Sequence, residues 1–211
     1  MVLSKVIKSY SLFVLSVFAM GLGISLVTLA YLGTTPITSP SFTLSLFIPI
    51  SFGMLTMLMN FVFVLLQIII LGKEFPKEQY IQLVVGPILG IAIDFWSYFV
   101  EMISQPYYWM SVLMVLTGCV IIAYSTILQL KANVVNNPAE GIVKAITIKT
   151  KKEFGTIKLY FDVSLVVIAI IISLIALGNI QGVREGTVVS AVIIGPLIRT
   201  FQKMTQMHTI K

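Results

Sequence analysis

Residues 52–60 read Phe52-Gly53-Met54-Leu55-Thr56-Met57-Leu58-Met59-Asn60, and residues 154–162 read Phe154-Gly155-Thr156-Ile157-Lys158-Leu159-Tyr160-Phe161-Asp162. The two Phe-Gly pairs lie 102 positions apart, as do Asn60 and Asp162, and Thr35-Pro36 and Asn137-Pro138. A run rich in Ile, Val and Leu follows each, from Phe61 to Leu71 and from Val163 to Leu174. Farther on, Val84-Val85-Gly86-Pro87 is answered by Ile193-Ile194-Gly195-Pro196 at an offset of 109, with seven extra residues falling near Gly178 to Glu185. A duplication of this kind constrains the fold before any other feature. In a membrane protein it is a common mark of a transporter.

The composition places the chain in a membrane. Of its 211 residues 58% are hydrophobic and only 10% charged, and the mean hydropathy is +1.02. A soluble domain carries about a quarter charged residues. The net charge of +6 does not point to nucleic acid, because the basic residues lie between the apolar runs or, as with Lys158, Arg199 and Lys203, near the ends of them. The excess instead reads as topology and attraction to anionic lipid. The single cysteine, Cys119, permits neither an internal disulfide nor a zinc site. His208 falls in a polar tail and reads as solvated. No Walker loop, HExxH motif or nucleotide fingerprint is present, so neither cofactor nor metal is expected. The absence of a Ser/His/Asp set or carboxylates at catalytic spacing argues against an enzyme.

A helix needs roughly 20 apolar residues to cross the hydrocarbon. Six segments qualify: 9–32, 51–72, 81–103, 108–129, 156–177 and 186–203. The first resembles a signal peptide, with Lys5 and Lys8 ahead of it, but it is too long and is read as a retained span. With six crossings, thirteen of the fourteen Lys and Arg residues fall on one side and only Arg184 on the other. The rich side is the cytoplasmic one, which places both termini inside. Trp96, Tyr98, Tyr107, Tyr108 and Trp109 gather around the turn between the third and fourth spans, as headgroup-level aromatics do. The expected fold is therefore an all-α polytopic membrane protein forming a single membrane domain over 1–211. Because each repeat has three crossings, the second half (105–211) enters from the opposite side to the first (1–104), giving two inverted three-helix repeats.

A broken segment follows the first helix of each repeat. One runs from Gly33 through Thr34, Thr35 and Pro36 to Pro40, then Ser41 to Ile50; the other runs from Asn133 through Asn136, Asn137, Pro138 and Glu140 to Gly141, then Ile142 to Glu153. Gly, Asn and Pro interrupt helices. The stretch 41–50 reads as a shallow re-entrant or interfacial helix. The stretch 142–153 sets Ile142, Ile146 and Ile148 among lysines, as in an amphipathic helix on the inner leaflet. Unpaired backbone at such breaks must be buried in protein or face a wet cavity. Thr34, Thr35, Pro36, Asn136, Asn137, Pro138 and Glu140 are thus candidate solute- or ion-binding residues, against the alternative of tight connecting turns.

Asn60 and Asp162 each follow a Phe-Gly by about two helical turns, roughly 10 Å into the membrane. A carboxylate there costs a few kcal/mol unless paired or hydrated. Asn60 and Asp162 are candidate solute-lining residues, Asp162 also as carrier of a coupling proton, with a salt bridge to Lys158 as the structural alternative for Asp162. Asp94 is a second intramembrane acid of the same standing, or else lies near the outer headgroups. Gln67 suits a hydrogen bond between helices. Gly86-Pro87 and Gly195-Pro196 suit close helix contact and a kink.

These same residues resemble the bacterial YczE/YyaS/YitT group of integral membrane proteins. The resemblance rests on Gly33-Thr34-Thr35-Pro36, Asn137-Pro138, Asp162 and the closing run from Gly186 to Ile198, GTVVSAVIIGPLI. The family pattern tends to carry Gly-Pro where this chain has Asn137-Pro138. Lacking the soluble C-terminal domain usual in the YitT branch, the chain is similar to the YczE/YyaS branch. The resemblance implies a multi-pass protein of a bacterial plasma membrane and brings no established catalytic residues.

The expected function is transport of a small solute or ion by alternating access between the repeats, in contact with the lipid bilayer and with no nucleic acid. The alternative is a membrane-embedded accessory or regulatory protein that binds a partner protein, a second copy of itself or a lipid, with the basic segment 142–153 as its support.

Overall fold

The computed structural model describes residues 2–103 and 107–205, and every regular element among them is helical. His208 and Lys211 lie outside the described residues. The helices are α1 (Val2–Leu29), α2 (Ser39–Ser45), α3 (Phe52–Leu71), α4 (Gln82–Val100), α5 (Tyr108–Ala132), α6 (Pro138–Thr150), α7 (Phe154–Leu177) and α8 (Glu185–Met204). Two 3-10 turns, Gly72–Glu74 and Lys77–Ile81, join α3 to α4. Local chemistry sets several of these ends. The Ser51 hydroxyl accepts from Met54 N at the start of α3, and the Asn137 side chain accepts from Ala139 N at the start of α6, where Pro138 sits at a helical position that needs no donor. Asn133 and Gly178 take left-handed conformations that terminate α5 and α7.

Five of these helices, α1, α3, α4, α5 and α7, belong to segments long and apolar enough to cross a membrane. Helix α8 has 20 residues and carries Glu185, Arg199 and Lys203; it is not among the five. The chain is a multi-pass helical membrane protein.

The two broken segments differ from their expected shapes. In the first, only Ser39–Ser45 is helical, and the turns up to Ile50 leave Leu46, Phe47 and Ile50 exposed. In the second, the helix begins four residues before Ile142, at Pro138, and its first half is buried between α3 and α7 rather than laid on a surface. Ile142 is buried but Ile148 is half exposed, because six residues of helix turn it away from the Ile142–Ile146 face.

Helix α1 packs along α5 and α4, α5 also packs on α8, and α3 packs on α4 and α6. Helix α7 is held through α2 and α6, and among the described residues it does not pack along α8 as α3 packs along α4. Only 17% of the apolar span of α7 is buried, against 56% for α1 and α5. The α1–α5 crossing is set by two glycines. A Cβ on Gly118 would lie 2.6 Å from the Gly23 carbonyl oxygen, and one on Gly23 would lie 2.9 Å from that of Gly118. Phe13, Val17, Val27, Val115 and Cys119 fill the space beside this crossing. The indole of Trp96 anchors α4 to α1 by donating to the Phe18 carbonyl at 3.1 Å. Overpacking of a tight helix contact costs about 1–3 kcal/mol. Gly118→Ala should therefore lower the thermal midpoint in detergent, whereas Gly195→Ala, with nothing within 4 Å, should leave it unchanged.

Candidate functional site

The end of α5, the start of α6 and the turn 77–81 enclose a cleft of about 200 Å³. Gln79, Gln129, Asn133, Asn136 and Asn137 give it five amides, and Glu140 and Lys144 give it two charges. The second break makes this wall polar. Asn133 turns the chain at φ 48°, and the residues up to Asn137 stay irregular before α6 begins.

A chain of amides holds the wall in place. Asn136 N and Nδ2 both donate to Gln79 Oε1, at 3.3 and 3.4 Å. Gln82 Nε2 donates to the same oxygen at 2.6 Å and to Gln67 Oε1 at 3.2 Å. Gln67 Nε2 donates in return to Gln82 Oε1 at 2.9 Å and to the Pro138 carbonyl at 3.1 Å. Gln67 thus makes the hydrogen bonds between helices that its place in an apolar span suggests, and it ties α3 to the break. A Cβ on Gly141 would fall 2.4 Å from Gln67 Oε1, so any larger residue there would have to push the Gln67 amide out of this network. Two lining amides have weaker partners: Gln129 Nε2 and Asn137 Nδ2 each point at Met20 Sδ, at 3.6 Å. A thioether is a weak acceptor, so both N–H groups retain the capacity to bind a better one.

Glu140 connects the cleft to α7. It lies within electrostatic reach of Lys158 and Asp162, and burial pushes its carboxyl above the ordinary range, opposed by Lys158 and reinforced by Asp162. Lys158 Nζ donates to both carboxylate oxygens of Asp162 one turn away on α7, and both side chains are largely covered, at 28% and 19% exposure. The salt bridge expected as the structural alternative for Asp162 is therefore present.

The remaining predicted residues lie elsewhere. Asp94 accepts from Ser51 Oγ at 2.6 Å and Gly53 N at 2.7 Å, so it neutralises free N–H groups at the start of α3 and locks α3 to α4. Thr34 and Thr35 are buried in a hydroxyl cluster. Thr34 Oγ1 pairs with Thr28 and Thr38 at 2.7 and 2.9 Å, Thr35 Oγ1 pairs with Thr38 at 2.7 Å, and Thr34 N donates to Thr187 Oγ1 at the start of α8. The Pro36 carbonyl accepts from Ser39 Oγ at 2.7 Å. Asn60 is 4% exposed inside the α3–α4 contact, and among the described residues neither its Nδ2 nor Thr56 Oγ1, one turn earlier, has a hydrogen-bond partner. Structure thus brings Asn136, Asn137 and Glu140 together, with Asp162 behind them and the Pro138 carbonyl in their support. It sets Asn60, Asp94 and the first break apart. Gln79, Gln129, Asn133 and Lys144 line the cleft as well, with no motif in the sequence to mark them as binding residues. Their one signal was the crowding of amides between Gln129 and Asn137 at the end of an apolar span.

Two measurements test these roles. A carboxyl whose pKa is raised on folding contributes stability that is lost as pH rises from the ordinary carboxylate range through its folded pKa, so the native protein should lose thermal stability over that rise and Glu140→Gln should lose less of it. Removing one partner of a buried ion pair costs roughly 3–5 kcal/mol, and replacing both is near neutral. Lys158→Met alone should therefore lower the thermal midpoint more than Lys158→Met/Asp162→Leu, by less than that range because the pair is not fully covered.

A model described as a family of unknown function (DUF6198) matches residues 7–203. No curated protein and no solved structure matches the chain. The chain belongs to that family.

Proposed function

We propose that this member of a family without an assigned activity carries a small polar solute across a bacterial plasma membrane, by alternating access between two inverted three-helix repeats. The observation that carries the reading is the amide-lined cleft at the second break, on the lysine-rich face. It combines under-used N–H donors, a partly buried acid and a break in the helical backbone, and breaks of that kind form solute sites in inverted-repeat transporters. In this reading α8 is the sixth crossing and both termini are cytoplasmic.

The pairing of elements supports the repeat. Contact of α1 with α4 is answered by α5 with α8, α2 with α3 by α6 with α7, and α3 with α6 by α7 with α2. Tyr31 and Asn133, 102 positions apart, both take the left-handed conformation after the first helix of their half, at φ 58° and 48°. The resemblance to the YczE/YyaS/YitT group agrees with this architecture and adds no substrate.

A second reading is an accessory membrane protein, favoured by the exposed length of α7, which a partner helix would cover. One screen separates the two. Under the transport reading, a polar metabolite at about 100 times its Kd stabilises the purified protein by about 2.7 kcal/mol. Gln129→Ala and Asn136→Ala should lose that shift together with uptake of the same metabolite into proteoliposomes, and Thr35→Ala should lose neither. If no solute shifts the midpoint and one protein co-purifies in fixed stoichiometry, the transport reading fails.

A further inference from the structure

The two halves carry the same seam in opposite states. In the first half α3 and α4 are shut. A Cβ on Gly53 would lie 2.1 Å from the Gly90 carbonyl oxygen, and one on Gly86 would lie 3.1 Å from Asn60 Cβ, while Asp94 bonds to Ser51 and Gly53. The matching positions of the second half are Gly155 on α7 and Gly195 on α8, 102 and 109 residues on. Nothing lies within 4 Å of a Cβ on Gly195, and one on Gly155 meets only Glu153 Oε1 at 3.7 Å. The stripe Val188, Val192, Gly195, Arg199 and Lys203 of α8, which corresponds to the α3-facing side of α4, is exposed along its whole length.

Five positions of the second seam carry charge. Ser51, Thr56 and Asn60 on α3 become Glu153, Lys158 and Asp162 on α7, while Gly90 and Asp94 on α4 become Arg199 and Lys203 on α8. The α7 side carries net −1 from two acids and one base, and the α8 side carries +2 from two bases. A side chain at the Gly90 position forbids the backbone contact of the first seam, since a Cβ there would already lie 2.6 Å from the Gly53 carbonyl oxygen. The second seam can therefore close only at a wider spacing, across ion pairs. The Ser51–Asp94 contact sets Glu153 opposite Lys203. Side chains on a helix lean toward its N-terminus, which directs Arg199 toward the level of Gly195, where the Asn60–Gly86 contact sets Asp162.

We infer that α7 and α8 are a moving seam, open in this structure, which closes from the lysine-rich face through Glu153–Lys203 and Asp162–Arg199 pairs. The inference rests on the transport reading, for which the shut α3–α4 seam is the opposite gate. Without the glycine backbone contact the second seam is held by these pairs alone, and the exposed Glu153 and Lys203 form a pair that holds weakly and releases easily.

The test is a distance measurement between spin labels on Thr156→Cys and Thr200→Cys in the full chain, in a Cys119→Ala background reconstituted in bilayers. Two distances are expected. The shorter population should fall several-fold in Lys203→Glu and return in Glu153→Lys/Lys203→Glu. A single long distance in every variant overturns the inference. So does a short distance that vanishes on mixing with excess unlabelled protein, because it then lies between two copies. Thermal shift separates this outcome from the fate of the transport reading. Solute stabilisation without any short distance removes the seam and leaves transport; charge-dependent closure in a protein that no solute stabilises removes transport and leaves the seam.

Discussion

Gly23 and Gly118 let the backbones of α1 and α5 touch, and the rest of the bundle is arranged around that contact. Lipid tails give helices no hydrophobic reason to associate, so close van der Waals approach must supply the attraction. Helix α4 is fixed to α1 by the same device, since a Cβ on Gly21 would lie 2.7 Å from that of Ala92, and α8 lies along the other side of α5. The Gly23–Gly118 contact therefore sets how α1 and α5 lie against each other, and with them where the two breaks at their ends fall. The first break closes on the start of α8, where Gly186 N donates to the Leu32 carbonyl at 2.7 Å. The second closes on the turn before α4.

The breaks satisfy their polar groups by different chemistry. Hydroxyls at the first are short and both give and accept, so Thr28, Thr34, Thr35 and Thr38 complete one another within a buried knot. Amides at the second are longer and carry separate donors and acceptors. Gln67, Gln79 and Gln82 complete a relay, but Gln129 and Asn137 are left facing a sulfur. One break is consequently a sealed joint and the other a lined cleft, although their sequences begin from the same Pro-marked position.

Apolar run length made the long helices legible, though not which of them cross the membrane. The stretches 51–72 and 81–103 become Phe52–Leu71 and Gln82–Val100, and 186–203 becomes Glu185–Met204. The exception is 9–32, because α1 begins at Val2 and stops at Leu29, where the chain turns through Tyr31. The Lys158–Asp162 pair was legible from its four-residue spacing. The cleft was not, because Gln79 and Gln129 are 50 positions apart and only the packing of two turns brings them together. Nor was the role of Asp94, which depends on α3 starting directly across from it. Hydropathy also gave no sign that α7 would be so little covered, since a helix facing lipid and one facing protein are equally apolar.

Lys158 and Asp162 stand where the first half has Thr56 and Asn60, and this substitution has an electrical side. A unit charge crossing the whole membrane field exchanges about 2.3 kcal/mol with it per 100 mV. A lysine and an aspartate bonded to each other sum to zero, as a threonine and an asparagine do. The chain has thereby made one half far more polar than the other without giving the membrane voltage a net charge to pull on at that depth.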